Sequence, residues 1–214
     1  MELESPGSNV REPPAPASVL GEGTAVLVRG PALSGKYELL MSLLSTNSEY
    51  GLLVSTSRQG ARAREDFSVY EDPGQLAVVD CASRIQGEEG ADDQLLRYAS
   101  SPENLTDIGV KFTALVETMQ DWGGVTVGIH SLSELVMYWE PERVFQFVRI
   151  MLAECREQGW PMVATIDDTA VDEQTVSTLT QPFDTIILTR IADDGGQEFM
   201  IQQQEEPDTE WIQF

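Results

Sequence analysis

Lysine is nearly missing from this chain: Lys36 and Lys111 stand alone among 13 basic residues, and the other 11 are arginines. Acidic residues number 36, which leaves a formal net charge of −23. There is no basic stripe either. The densest basic group, Arg58, Arg62 and Arg64, is too small for a nucleic-acid footprint, and the remaining charge repels a phosphate backbone. Nucleic acid is therefore not an expected partner. Cysteine is scarce, with Cys81 and Cys155 far apart and no C-x-x-C, so no zinc or dithiol motif is present and buried, reduced thiols are expected. No apolar run approaches 18 residues and no basic-then-apolar leader opens the chain. Neither a membrane span nor an export signal is expected, and the cytoplasm is the expected compartment.

Strong acidity with few lysines suits a cytosol of molar salt. Carboxylates hold water and cations there, and a Debye length of about 3 Å removes most self-repulsion. A halophilic source is the expectation. A length of 214 residues is enough for one sizeable domain with a full core.

What is present starts with residues 30 to 37: Gly30, Pro31, Ala32, Leu33, Ser34, Gly35, Lys36 and Tyr37. They match the phosphate-loop pattern G-x-x-x-x-G-K-[ST] through its lysine and break it at the last position. The apolar run Ala25-Val26-Leu27-Val28 precedes the loop and a helix-like Glu38 to Leu44 comes after it, which is the context such a loop needs. Backbone N–H groups, the helix N-terminus and Lys36 can hold a phosphate there. Catalysis also needs a metal bridging the β- and γ-phosphates, and Tyr37 stands where the metal-binding hydroxyl belongs.

Residues 1–22 read as a polar, Pro-rich tail, 23–203 as one domain and 204–214 as an acidic tail. Short apolar runs at 24–29, 51–56, 76–80, 124–130 and 161–166 alternate with helical stretches at 37–46, 105–121, 141–158 and 171–181. That alternation predicts an α/β fold with a mainly parallel central sheet, buried on both faces and flanked by helices. Runs at 185–189 and 198–202, joined across Asp193-Asp194-Gly195-Gly196, predict a C-terminal antiparallel hairpin. The acidic, Gly-containing stretch 84–103 reads as a surface loop. Trp211 and Phe214 are expected either to tuck into the domain edge or to dock on a partner.

Three stretches together resemble the RecA/KaiC-like P-loop ATPases, and among them the short KaiC-like proteins of haloarchaea. They are Gly30 to Lys36, the strand Val125 to His130 running into Ser131-Leu132-Ser133-Glu134-Leu135, and Pro141 to Phe147. The resemblance spans roughly residues 23 to 203 and implies a RecA-like P-loop fold. It also implies an active site with three of its roles replaced. Tyr37 stands for the Ser or Thr that ligates Mg²⁺, His130 for the Walker B Asp, and Thr56-Ser57-Arg58 for the acid that polarises water. Imidazole is a poor ligand for a hard cation, so His130 is read as a structural residue ending its strand, with a catalytic base as the lesser alternative. Catalytic and metal-binding residues are expected to be none.

The resemblance thus implies a catalytically degenerate domain acting as a regulatory or scaffold interaction protein. Its expected partners are copies of itself or an active paralogue of the same family. The alternative is a nucleotide-binding switch that holds ATP or ADP weakly at the loop, with or without Mg²⁺, and turns over little. A third reading, slow hydrolysis by displaced acids, would call on Asp80, Glu134, Asp167 or Asp168. In so acidic a chain these are otherwise solvated or helix-capping groups.

Overall fold

The computed structural model describes residues 19–46, 48–88, 90–203 and 208–214. Most of the expected N-terminal tail, residues 1–18, lies outside them. The part within them is not all tail, because Val19 is buried in the core.

The described residues form one sheet of nine strands: β1 (Ala25–Gly30), β2 (Tyr50–Ser55), β3 (Leu76–Asp80), β4 (Leu96–Tyr98), β5 (Val125–His130), β6 (Met162–Asp167), β7 (Thr185–Ile191), β8 (Gln197–Gln203) and β9 (Ile212–Gln213). Their spatial order is β4-β3-β2-β5-β6-β1-β7-β8-β9. The pairs from β4 through β7 are parallel, while β7–β8 and β8–β9 are antiparallel. The helices are α1 (Lys36–Ser45), α2 (Gly60–Phe67), α3 (Leu105–Met119), α4 (Leu132–Leu135), α5 (Pro141–Glu157) and α6 (Glu173–Thr180). Among the described residues no helix is long and apolar enough to cross a membrane.

Alternation along the strands sorts their side chains into two cores. Ala25 and Leu27 of β1 join Val127, Ala164 and the buried faces of α3 and α5 on one side of the sheet. Val26 and Val28 join Val163, Leu39, Leu43 and Phe67 under α1 and α2 on the other. Successive residues of a strand face opposite ways, so a strand buried on both sides reads as one continuous apolar run. Each buried Leu, Val or Phe contributes about 1.5–3 kcal/mol by leaving water. The helix ends agree with the sequence. Asn104 and Asp172 accept hydrogen bonds from the amides of Asp107 and Thr175, Pro141 opens α5, and Gly159 lies just past it with φ 72°.

Four short elements depart from the sequence reading. The stretch expected as a surface loop contains β4, α2 and α4 lie where no helix was expected, and the acidic tail contains β9. The register of the strands aligns their ends. Gly30 lies beside Asp167, and Ser55 lies between His130 and Asp80, so these residues end their strands along one edge of the sheet. That edge is where open α/β sheets hold ligands.

Candidate functional site

The phosphate-loop motif joins the end of β1 to the start of α1. Gly30 closes the strand with no room for a side chain: a Cβ there would lie 2.3 Å from both the carbonyl and the hydroxyl oxygen of Thr189 on β7. Pro31 and Ala32 turn outward, and Leu33 is 85% exposed with φ 64°. Ser34 is buried; its hydroxyl donates to the Pro31 carbonyl at 2.8 Å and shares a 2.6 Å bond with Thr189 Oγ1. Gly35 takes φ 84°, a conformation that side chains rarely adopt. The two left-handed residues curl the backbone into a concave run ahead of the helix N-terminus, the geometry in which successive amides hold an anion.

Lys36 opens α1 and folds back onto its own loop, donating to the Pro31 carbonyl, with Asp167 Oδ2 at 3.9 Å. Burial lowers its pKa, and the charges of Asp167, Asp168 and Glu38 oppose that shift. The loop frame and its lysine are thus both in place.

The next position departs from the pattern. Tyr37 is buried and turns its ring toward His130, with centroids 4.7 Å apart. The Arg58 guanidinium lies over the same ring at 4.2 Å. Asp66 on α2 ties the group together, accepting from the Tyr37 hydroxyl at 2.9 Å and from Arg58 Nη1 at 2.9 Å. On the far side, His130 Nδ1 bonds Thr165 Oγ1 at 2.8 Å. Burial first, then the neighbouring Asp66 charge, raises the Tyr37 pKa well above the usual phenol value. Burial, with the Arg58 and Lys36 charges behind it, pushes His130 down to about 3, so its ring is neutral at ordinary pH.

These residues do not suit a Mg²⁺ ion, which wants a shell of hard oxygens. The Tyr37 oxygen is committed as a donor to Asp66, and His130 offers only nitrogen. Among the described residues no group of three His, Cys, Asp or Glu side chains is arranged to hold a metal. The loop does suit a phosphate, through its curled backbone and Lys36.

Of the acids considered as displaced catalysts, Asp167 and Asp168 lie close enough to Lys36 to act on its charge, and each of the four has its own surroundings. Asp80 is 1% exposed and accepts from the amides of Gly60, Ala82 and Ser83 and from the Ser83 hydroxyl, at 2.6–2.8 Å. Asp168 pairs with Arg29 at 3.2 Å. Asp167 accepts from the Thr169 amide and hydroxyl and takes part in the Lys36 contact. Glu134 lines an open recess with Ser57, Ser131, Ser133 and Met137, which Asp167 also borders.

Sequence reasoning brought Lys36, Tyr37 and His130 to one place, and the fold places them there. It missed Asp66, whose position in no motif gave a signal, and Thr165. It also missed that the C-terminal segment reaches the loop. Phe214 and Gln197 both touch Gly35.

His130 carries a testable pH signature. In the fold it stays neutral down to about 3, whereas its ordinary value is 6.5, so between those values the unfolded chain binds the extra proton. Stability therefore falls as pH drops through that window, by up to about 1.4 kcal/mol per pH unit from this residue. Chemical denaturation between pH 7 and 5 is expected to show a steeper loss in the wild type than in His130→Gln, which keeps a partner for Thr165. Parallel curves would mean that the ring is solvated.

The strand order and the flanking helices define a class of fold, a RecA/KaiC-like α/β fold. The fold matches the solved structure of the KaiC-like protein PH0186 from the hyperthermophilic archaeon Pyrococcus horikoshii OT3. The TM-score is 0.65 at 17% identity, over 96% of this chain and 92% of that one. Identity that low establishes likeness of fold alone. The chain belongs to DUF7504, a family of unknown function whose pattern matches residues 23–189. No curated protein matches it.

Proposed function

We propose that this chain is a catalytically degenerate RecA/KaiC-like domain that acts through protein contacts, as a regulatory or scaffold subunit in a cytosol of molar salt. Copies of itself or an active paralogue are the partners this reading calls for. One observation carries it: Tyr37 and His130, at the two positions where the resemblance implies metal-holding groups, pack on each other under Arg58 and are tied by Asp66. Removing one electrostatic stabiliser costs about 10²–10³ in rate, and here several such roles are missing together. Phosphate release from ATP with Mg²⁺ in 2–3 M KCl, a salt range that screens the charge to about 3 Å or less, is expected to match the protein-free background in wild type and Lys36→Ala alike. Metal-dependent turnover that disappears in Lys36→Ala would overturn the reading.

A second reading, a nucleotide-binding switch, is favoured by the intact loop. The curl at Leu33 and Gly35, Lys36 and the neighbouring Arg58 supply donors and positive charge without a metal. Calorimetric titration with ATP separates the two, with and without Mg²⁺ and with Lys36→Ala alongside. A scaffold gives no saturable heat. A switch binds ATP equally well in EDTA and loses it with Lys36.

A further inference from the structure

We infer that the segment ending in Phe214 is a strap that closes the phosphate loop, so that a polyphosphate ligand and the Phe214 ring compete for it. This rests on the second reading, in which the loop holds nucleotide. The contact is direct. A Cβ on Gly35 would lie 2.5 Å from Phe214 Cζ, 2.8 Å from its Cε2 and 2.8 Å from Gln197 Oε1. Only a glycine lets the ring come this close, and Gly35 is the loop residue immediately before Lys36. Gln197 holds the loop from the same side, its Nε2 donating to the Leu33 carbonyl at 3.0 Å. An aromatic ring offers an anion no counter-charge and no hydrogen-bond donor, so the strap as it lies adds nothing that would hold a phosphate at the loop.

The strap is tied by a short ladder, a few hydrogen bonds and ring contacts, and Phe214 also packs against the core under α1 and α2. It pairs with β8 at only two positions, Glu198 with Gln213 and Phe199 with Ile212. The Phe214 amide donates to the Gln197 carbonyl at 3.1 Å, and its ring meets Phe199 edge-on at 5.6 Å. Thr209 bonds Ile201 through its amide and its hydroxyl, and Arg190 lies 4.0 Å over Trp211. Ile212 and Gln213 are exposed. Gln197 touches both the strap and the loop, so a ligand that reshapes the loop also loosens the strap. Such a segment closes by default and opens when something takes its place.

The test is calorimetric titration of ATP into the whole protein in 2–3 M KCl. The proteins compared are wild type, Phe214→Ala, Gln197→Ala and Phe214→Ala/Lys36→Ala, each checked by its melting temperature. A strap shut nine-tenths of the time weakens apparent affinity about tenfold. Phe214→Ala is therefore expected to bind ATP about tenfold more tightly than wild type, Gln197→Ala severalfold more tightly, and the double variant not at all. ATP is also expected to change the fluorescence of Trp211, read as the difference between wild type and Trp211→Phe. Equal affinity in wild type and both single variants overturns the strap and leaves the nucleotide reading standing. Tighter binding that survives Lys36→Ala overturns it too, since the ATP then sits elsewhere. No saturable binding in any protein overturns both.

Discussion

Asp80→Ala is expected to lower the stability of the fold by about 3–5 kcal/mol, because it strands four buried donors at once. The Asp80 carboxylate accepts from the amides of Gly60, Ala82 and Ser83 and from the Ser83 hydroxyl. Gly60 is the first residue of α2, and no side chain at that helix's own start caps it. The cap comes instead from the end of β3, so Asp80 fixes where the helix begins. In a chain of this size the loss corresponds to a melting temperature lower by about 6–20 °C. Asp80→Asn keeps one acceptor oxygen but sets an amide against the remaining donors, and its loss should be intermediate. A change below about 1 kcal/mol for the alanine variant would mean that water reaches these donors.

The consequence extends to the candidate site. α2 carries Asp66, the group that holds both the Tyr37 hydroxyl and Arg58. An acid considered for catalysis from sequence is thus structural, with three strands between its own and the loop strand in the sheet order β3-β2-β5-β6-β1. Loosening α2 should also loosen the packing over Tyr37.

Where the sequence was legible, two independent signals agreed. The central strands bury both faces, so their apolar runs are unbroken, and α5 combines a Pro start, a Gly stop and a 3-4 apolar spacing. α2 had neither. It buries only Gly60, Ala63 and Phe67, and the Arg and Glu between them hide that spacing. β4 buries only Leu96 within an acidic stretch, and β9 has two residues, both exposed. Such elements form because a neighbouring strand offers them hydrogen bonds, which local composition does not record. The site divided in the same way. The loop is contiguous, so its pattern reads directly, and His130 is found from the end of its strand. Asp66 reaches Tyr37 from 29 positions away and Phe214 lies far beyond Gly35, so only the fold could pair them.

Tyr37 is the residue whose replacement tests packing and chemistry together. Tyr37→Ala removes a buried ring that meets His130 at 4.7 Å and Arg58 at 4.2 Å, and it removes the hydroxyl bond to Asp66. Ring deletion in a packed site costs about 3–5 kcal/mol. One edge of this site is open through Arg58, which is 45% exposed, so about 3–4 kcal/mol is expected. Tyr37→Phe keeps the ring and should lose only about 1 kcal/mol, the net worth of a hydrogen bond. Tyr37→Thr is the more informative change, since it restores the loop's G-x-x-x-x-G-K-[ST] pattern. It should be destabilised by about 2–3 kcal/mol, because a small polar side chain replaces the ring. Under the proposed degenerate reading it should also show no ATP hydrolysis, because Arg58 and His130 stay at the positions where that reading calls for an acid and a metal's water shell. Thermal denaturation and phosphate release with Mg²⁺ measure the two effects separately. Mg²⁺-dependent turnover in Tyr37→Thr alone would mean that the rest of the machinery is intact and that Tyr37 by itself holds it silent.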